Sequence, residues 1–258
     1  MADRPNVSGV FITFEGGEGA GKTTHINFLA DALRQQGRDV VCVREPGGTA
    51  IGEALRSIVL DDAHESMCAE TELLIYEAAR AQIVNEVIAP ALERGSVVLC
   101  DRFCDSTVAY QGHGRGLSLE FVKRVNEFAC QGVSPDRTVL MKTAGRASVG
   151  LRRATKLTGG DRIERAGVGF HDRVNRAFEG LAESDTERIR VVVSASRKRD
   201  TARAVFSAVA DLFGWDPMDL PFDDEFFVQV EKRKKGLRPV EAADAAEAAA
   251  QAAAGRPC

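Results

Sequence analysis

Val10-Phe11-Ile12-Thr13-Phe14-Glu15-Gly16-Gly17-Glu18-Gly19-Ala20-Gly21-Lys22-Thr23-Thr24 passes from an apolar run rich in β-formers, through a glycine-rich turn, into a helical pattern from His25 to Gln35. The turn is spaced Gly16-x-x-x-x-Gly21-Lys22-Thr23, the pattern of a loop that binds nucleotide phosphates. Glycines let the backbone curl so that its N–H groups cradle phosphate oxygens. The helix that follows adds its positive N-terminal end. Lys22 supplies a point charge for the outer phosphates, and the Thr23 hydroxyl is suited to Mg²⁺. Gly16, Gly17, Glu18, Gly19, Ala20, Gly21, Lys22, Thr23 and Thr24 are therefore the candidate ATP-binding residues.

Outward from this stretch, apolar strands alternate with helical patterns. Strands are expected at about Asp39–Val43, Ser96–Cys100, Arg137–Met141 and Ile189–Val193. Ser96–Cys100, the third strand counting Val10–Phe14 as the first, is apolar without a break, as in a strand buried on both faces. Ile51, Leu55, Ile58 and Val59 repeat at helical spacing behind a Thr49 cap. A long helical pattern runs from about Ala69 to Arg94, interrupted at Pro90, and places Tyr76 and Arg80 on one face. This βα alternation argues for an α/β fold with a parallel sheet covered by helices on both faces. Asp101-Arg102 falls where the third strand ends, and such sheets present strand carboxyl ends to the ligand crevice.

The chain of 258 residues is long enough for a sizeable core. A net charge of -4 disfavours non-specific nucleic-acid binding. No apolar run is long enough to span a bilayer, and Met1–Ser8 lacks the apolar core of a signal peptide, so a cytoplasmic location is expected. The cysteines show no C-x-x-C pairing, and Cys42 and Cys100 read as small core residues. Residues 1–8 are expected to be an extension and 9–214 the domain, with a basic, glycine-bearing mobile lid at about 152–165. Residues 215–258 are expected to be a low-complexity tail, largely disordered, with Phe222, Phe226 and Phe227 as candidate docking points.

Three further segments occur in a specific order: Arg44-Glu45-Pro46-Gly47-Gly48-Thr49, Asp101-Arg102-Phe103 with Ser106-Thr107-x-x-Tyr110-Gln111-Gly112, and Asp161-Arg162-Ile163-Glu164. With the loop, they make residues 9–213 resemble the bacterial thymidylate kinases, P-loop nucleoside monophosphate kinases. The resemblance implies a five-stranded parallel sheet, transfer of the ATP γ-phosphoryl group to dTMP in dTTP synthesis, Mg²⁺ and a homodimer. It implies that Glu18 approaches the acceptor 3′-hydroxyl, that Arg44 and Arg56 lie near the acceptor phosphate, and that Tyr76 stacks on thymine. It implies that Arg80 bonds the thymine carbonyl and that Ser106, Thr107, Tyr110 and Gln111 form the base and sugar pocket, with Tyr110 selecting deoxyribose. Asp101 and Thr23 would hold hydrated Mg²⁺, and Arg102 would bridge the donor and acceptor phosphates. A lid cation would come from Arg152, Arg153, Lys156 or Arg162, with Arg153 and Lys156 the catalytic candidates beside Lys22 and Arg102.

Two departures from the family pattern stand out. The lid carries Thr155-Lys156-Leu157 where the family is arginine-rich, and lysine cannot make the bidentate fork of arginine. Strand four continues as Leu140-Met141-Lys142-Thr143-Ala144-Gly145-Arg146 and lacks the usual carboxylate. Alternative readings are a kinase of another nucleoside monophosphate, or a nucleotide-binding paralogue with weakened catalysis.

Overall fold

The computed structural model describes residues 9–143 and 161–232. The extension 1–8, the segment 144–160 with Arg152, Arg153 and Lys156, and residues 233–258 lie outside the described residues.

In chain order the elements are β1 (Val10–Glu15), α1 (Lys22–Gln35), β2 (Val40–Arg44), α2 (Ala50–Leu60), α3 (Ala69–Ile83), α4 (Ala89–Glu93), β3 (Val97–Asp101), α5 (Cys104–Thr107), α6 (Leu119–Cys130), β4 (Arg137–Thr143), α7 (Val168–Ser184), β5 (Ile189–Ser194), α8 (Lys198–Val209) and α9 (Asp224–Lys232). The five strands form one parallel sheet in the order β2-β3-β1-β4-β5. The fold class expected from the sequence is the one observed.

Alternation along each strand divides the core between two faces. Ile12, Phe14, Leu99 and Met141 pack on one side against Ile26, Leu29 and Leu33 of α1 and Phe206 of α8. Phe11, Val41, Val43, Val98 and Cys100 pack on the other, against Ile83, Val84, Val87 and Ala91. Cys42 and Cys100 are buried core thiols.

The sheet order places β1 between β3 and β4, which are reached in opposite directions along the sheet. A crevice for ligands opens at the carboxyl ends of the strands at such a switch. Register brings Phe14 opposite Asp101, so the loop after β1 and the Asp101-Arg102 turn emerge side by side.

Several expectations are corrected. The core does not end at residue 214. Trp215, Phe222 and Phe226 pack against it, and Phe227 and Val230 of α9 are fully buried. Phe206 sits 5.2 Å from Phe227 and 6.0 Å from Trp215, ring centroid to centroid. Acidic residues dominate the composition here, but the aromatics carry the energy, at about 1.5–3 kcal/mol for each fully buried ring. The helical pattern from 69 to 94 is not interrupted at Pro90. Its irregularity is the wider π-helical turn Val84–Ile88 just before it, and Pro90 falls in the first turn of α4, where a missing N–H is tolerated. On α2 the helix forms, yet Ile51 and Ile58 are exposed and Val59 alone of the four apolar positions is buried. The chain after Phe103 enters α5 and then a second π-helical stretch, Val108–Gly114.

Candidate active site

The loop after β1 takes its path from its glycines. Gly16 has φ +123°, and a Cβ there would lie 2.1 Å from the Met141 carbonyl oxygen. Gly21, at φ +95°, opens α1. The Lys22 ammonium folds over the loop and donates to the Gly16 and Gly17 carbonyls, at 3.1 and 3.3 Å. Burial, and then Arg102, push its pKa down, while Glu18 and Asp101 oppose the shift.

Arg102 is the pivot of the site. It is a non-glycine residue at φ +72°, a conformation costing about 1–3 kcal/mol. Its N–H donates to the Phe14 carbonyl at 3.0 Å, which fixes the turn against β1. One arm of the guanidinium pairs with Glu18, and the other donates to Ser106 Oγ at 3.2 Å. Its plane stands 5.1 Å over the Tyr110 ring. Burial works against ionisation of Glu18, but Arg102 and Lys22 outweigh it and hold the carboxyl at about 2. Glu15, the last residue of β1, is pushed up to about 7 by burial and by Asp105. It accepts from the Phe103 N–H at 2.8 Å and from Ser106 Oγ at 2.6 Å, and so shapes the turn from below.

Two arginines meet at the turn after β2. Gly48 N–H donates to Glu53 at 2.7 Å, and Thr49 caps α2 through the Gly52 N–H at 2.9 Å. Arg44 and Arg56 both donate to the Pro46 carbonyl, at 3.1 and 2.8 Å. Burial, and then Arg44, lower the Arg56 pKa. Arg44 also pairs with Glu53 at 3.0 Å, so the two arginines leave one net positive charge at the turn, which favours an anion beside them.

The base-side residues belong to a buried network. Arg80 is 2 % exposed. Its Nε and Nη2 donate to Glu45 at 2.9 and 2.7 Å, and its Nη1 reaches Glu77, Thr107 and Asn126. Most of its donors are thus committed, and a ligand would share the fork with Glu45. Gln111 donates to the buried Glu72 at 2.9 Å. Glu72 also holds Arg115 and Arg162, at 2.8 and 2.6 Å. Tyr76 is half-buried, whereas Tyr110 is 7 % exposed and packs against Phe170 and Phe178.

These residues line a single cleft of about 1160 Å³ that takes in Glu18–Thr24, Arg44, Arg56, Tyr76, Arg80, Asp101, Arg102, Ser106, Thr107, Tyr110 and Gln111. Gly16 and Gly17 border the adjoining hollow behind the loop instead. Sheet order sets the two ends. One lies above β2 and β3. The other lies above β1 and β5, where Ser194, Ala195, Ser196, Lys198 and Thr201 join His25. Sequence reasoning missed this second group, as well as Glu15, Glu45 and Glu72. A lone carboxylate closing an otherwise apolar strand was the available signal for Glu15.

Thr23 Oγ1 donates to Asp101 Oδ2 at 3.0 Å. Two hard oxygens at this separation match neighbouring positions around Mg²⁺, which prefers octahedral oxygen ligands at about 2.0–2.1 Å. The residues present fit that ion.

Arg162 is not placed as a lid cation. It is buried between Glu72 and the Val59 carbonyl, the latter at 3.0 Å, so the 161–165 end of the expected lid is anchored to α2 and α3. At the altered end of strand four the strand simply continues. Lys142 and Thr143 pair with β5, and the Lys142 ammonium meets Glu179 of α7 at 2.5 Å.

The thymidylate kinase family model matches residues 14–205. A thymidylate kinase of Pelobacter propionicus is 46% identical over 207 residues, covering 78% of this chain and 94% of the relative. That of Desulfovibrio desulfuricans is 43% identical over 207 residues, with the same two coverages. The crystal structure of thymidylate kinase from Ehrlichia chaffeensis superposes with a TM-score of 0.63 at 29% identity, covering 78% of this chain and 98% of that one.

Proposed function

The chain belongs to the thymidylate kinase family and phosphorylates dTMP to dTDP, and from this premise we propose how its cleft divides the work. ATP lies along Gly16–Thr24 with its base toward Ser194–Thr201, and dTMP lies at the opposite end. The acceptor phosphate sits by Arg44 and Arg56, the base between Tyr76, Arg80, Thr107 and Gln111, and the sugar by Glu18 and Tyr110. The observation that carries this reading is that the phosphate loop and the Arg44–Arg56 pair face one cleft with Arg102 between them.

The acceptor is already an anion, so the reaction needs no strong general base. The difficulty is to bring two anions together and to stabilise charge on the transferring group. Arg102 bridges the two phosphates from a turn fixed before substrate arrives. Lys22 leaves the Gly16 and Gly17 carbonyls for the transferring phosphoryl group. Glu18, held ionised by Arg102, turns its free oxygen to the acceptor 3′-hydroxyl. Thr23 and Asp101 hold Mg²⁺, which supplies charge neutralisation at the outer phosphates when bound. A further cation comes from Arg153 or Lys156.

A homodimer is part of this reading. Leu74 of α3 and Phe121 and Phe128 of α6 are exposed, at 56%, 50% and 84%. α3 and α6 pack side by side, and such an apolar face suits a two-fold contact with a second copy. The cytoplasm is the compartment that this chemistry and the composition imply, and among the described residues no helix is long and apolar enough to cross a membrane. Comparing Lys22→Ala with wild type in an ADP-release assay with ATP, dTMP and Mg²⁺ tests the cleft assignment. Severe loss of turnover is expected. Near-wild-type turnover would refute it.

A further inference from the structure

α9 lies beyond the residues 14–205 matched by the family model, yet it packs against α8, whose first turn lines the end of the cleft assigned above to the base of ATP. We propose that Glu231 on α9 is a positioning residue for the donor nucleotide, holding the Ser194–Thr201 wall of the cleft from behind. The inference rests on that donor assignment.

The wall needs such support. α8 starts at Lys198, and its N-cap, Arg197, supplies no side-chain acceptor among the described residues. The first N–H groups of a helix are orphans unless something caps them. Here the acceptor comes from a distant element, as Glu231 Oε1 takes the Arg199 N–H at 3.1 Å. From within the wall, Thr201 Oγ1 takes the Ala195 N–H at 2.9 Å. The two bonds pin either side of the turn that carries Ser196 and Lys198 into the cleft.

α9 is itself firmly seated. Phe227 and Val230 are fully buried, and the Arg203 guanidinium covers the Phe227 ring at 4.3 Å. The exposed Glu231 that follows Val230 is thereby carried to the start of α8. A negative charge there also suits the positive end of α8. Electrostatics agree on the location. The pKa of His25, which lines the same corner, is pushed down by burial and Lys198 and pulled back by Glu231.

The test uses Glu231→Ala and Glu231→Gln in the full chain, reading kcat, the KM for ATP, the KM for dTMP and Tm. Losing the cap in Glu231→Ala is expected to raise the KM for ATP about threefold to tenfold. The KM for dTMP should stay near wild type, and Tm should fall by no more than a few degrees. Glu231→Gln keeps an acceptor oxygen and should restore most of the loss. An unchanged KM for ATP, or a joint rise of both KM values with a lowered Tm, would overturn the proposal. Failure of the donor assignment would look different, because Glu231→Ala would then raise the KM for dTMP and leave the KM for ATP unchanged.

Discussion

Replacing Arg102 by alanine should do more than remove a cation. In phosphoryl transferases an arginine at the transferring group is worth about 10³–10⁵ in rate. Here the same guanidinium pairs with Glu18 and donates to Ser106. Its loss leaves a carboxylate, otherwise held at about 2, facing the phosphates without its main partner. At about 5 Å and an effective dielectric of about 20, one unpaired charge repels an incoming anion by about 3 kcal/mol, roughly a hundredfold. Arg102→Ala should therefore lower kcat/KM for dTMP by about 10³–10⁵. Adding Glu18→Gln in that background should recover about tenfold to a hundredfold, since the repulsion goes while an acceptor oxygen stays. Steady-state ADP release with both substrates varied reads both effects. An Arg102→Ala enzyme within tenfold of wild type, or a double variant no better than the single one, would refute the reasoning.

Phe227→Ala should cost about 3–5 kcal/mol, because it empties a fully buried site between Phe28 and Phe206, and a denaturant melt measures it. Deleting the chain from residue 215 onward should likewise lower Tm. His25 is 4 % exposed and its pKa is lowered to about 4 by burial, so the unfolded chain binds the extra proton between pH 6.5 and 4. Its contribution is present above pH 6.5 and is lost as pH falls toward 4, by up to about 3 kcal/mol. Glu15 and Glu45, both raised to about 7, act with the opposite sign above pH 4.5, so the histidine is read from the difference between wild type and His25→Leu, and the wild-type advantage should shrink as pH falls from 6.5 to 4. Tyr110→Phe should leave Tm nearly unchanged, since the ring keeps its packing against Phe170 and Phe178, while discrimination against ribonucleotide acceptors weakens. Competition between dUMP and UMP reads that change.

What the sequence made legible was local. Val97–Cys100 and Val40–Val43 are apolar without a break because both sheet faces are covered, and the Gly16–Thr23 spacing is readable because the loop is made by neighbours in the chain. The Arg80 and Glu72 networks join residues 27 to 90 positions apart, apart from the helical neighbour Glu77, so local spacing does not announce them. Arg162 shows the consequence. Its basic, glycine-bearing surroundings suggest a mobile cation, while a buried glutamate far off in sequence fixes it. Residues 215–232 were obscured by their acidic composition, although Phe222, Phe226 and Phe227, the candidate docking points, all pack on the core.

The most direct test of the whole account is ADP release across a panel of nucleoside monophosphates at fixed ATP and Mg²⁺, with Lys22→Ala as the background. The account predicts turnover of dTMP well above AMP, CMP, GMP and UMP, and far above the Lys22→Ala background. Preference for another monophosphate, or dTMP turnover no greater than that background, would contradict it.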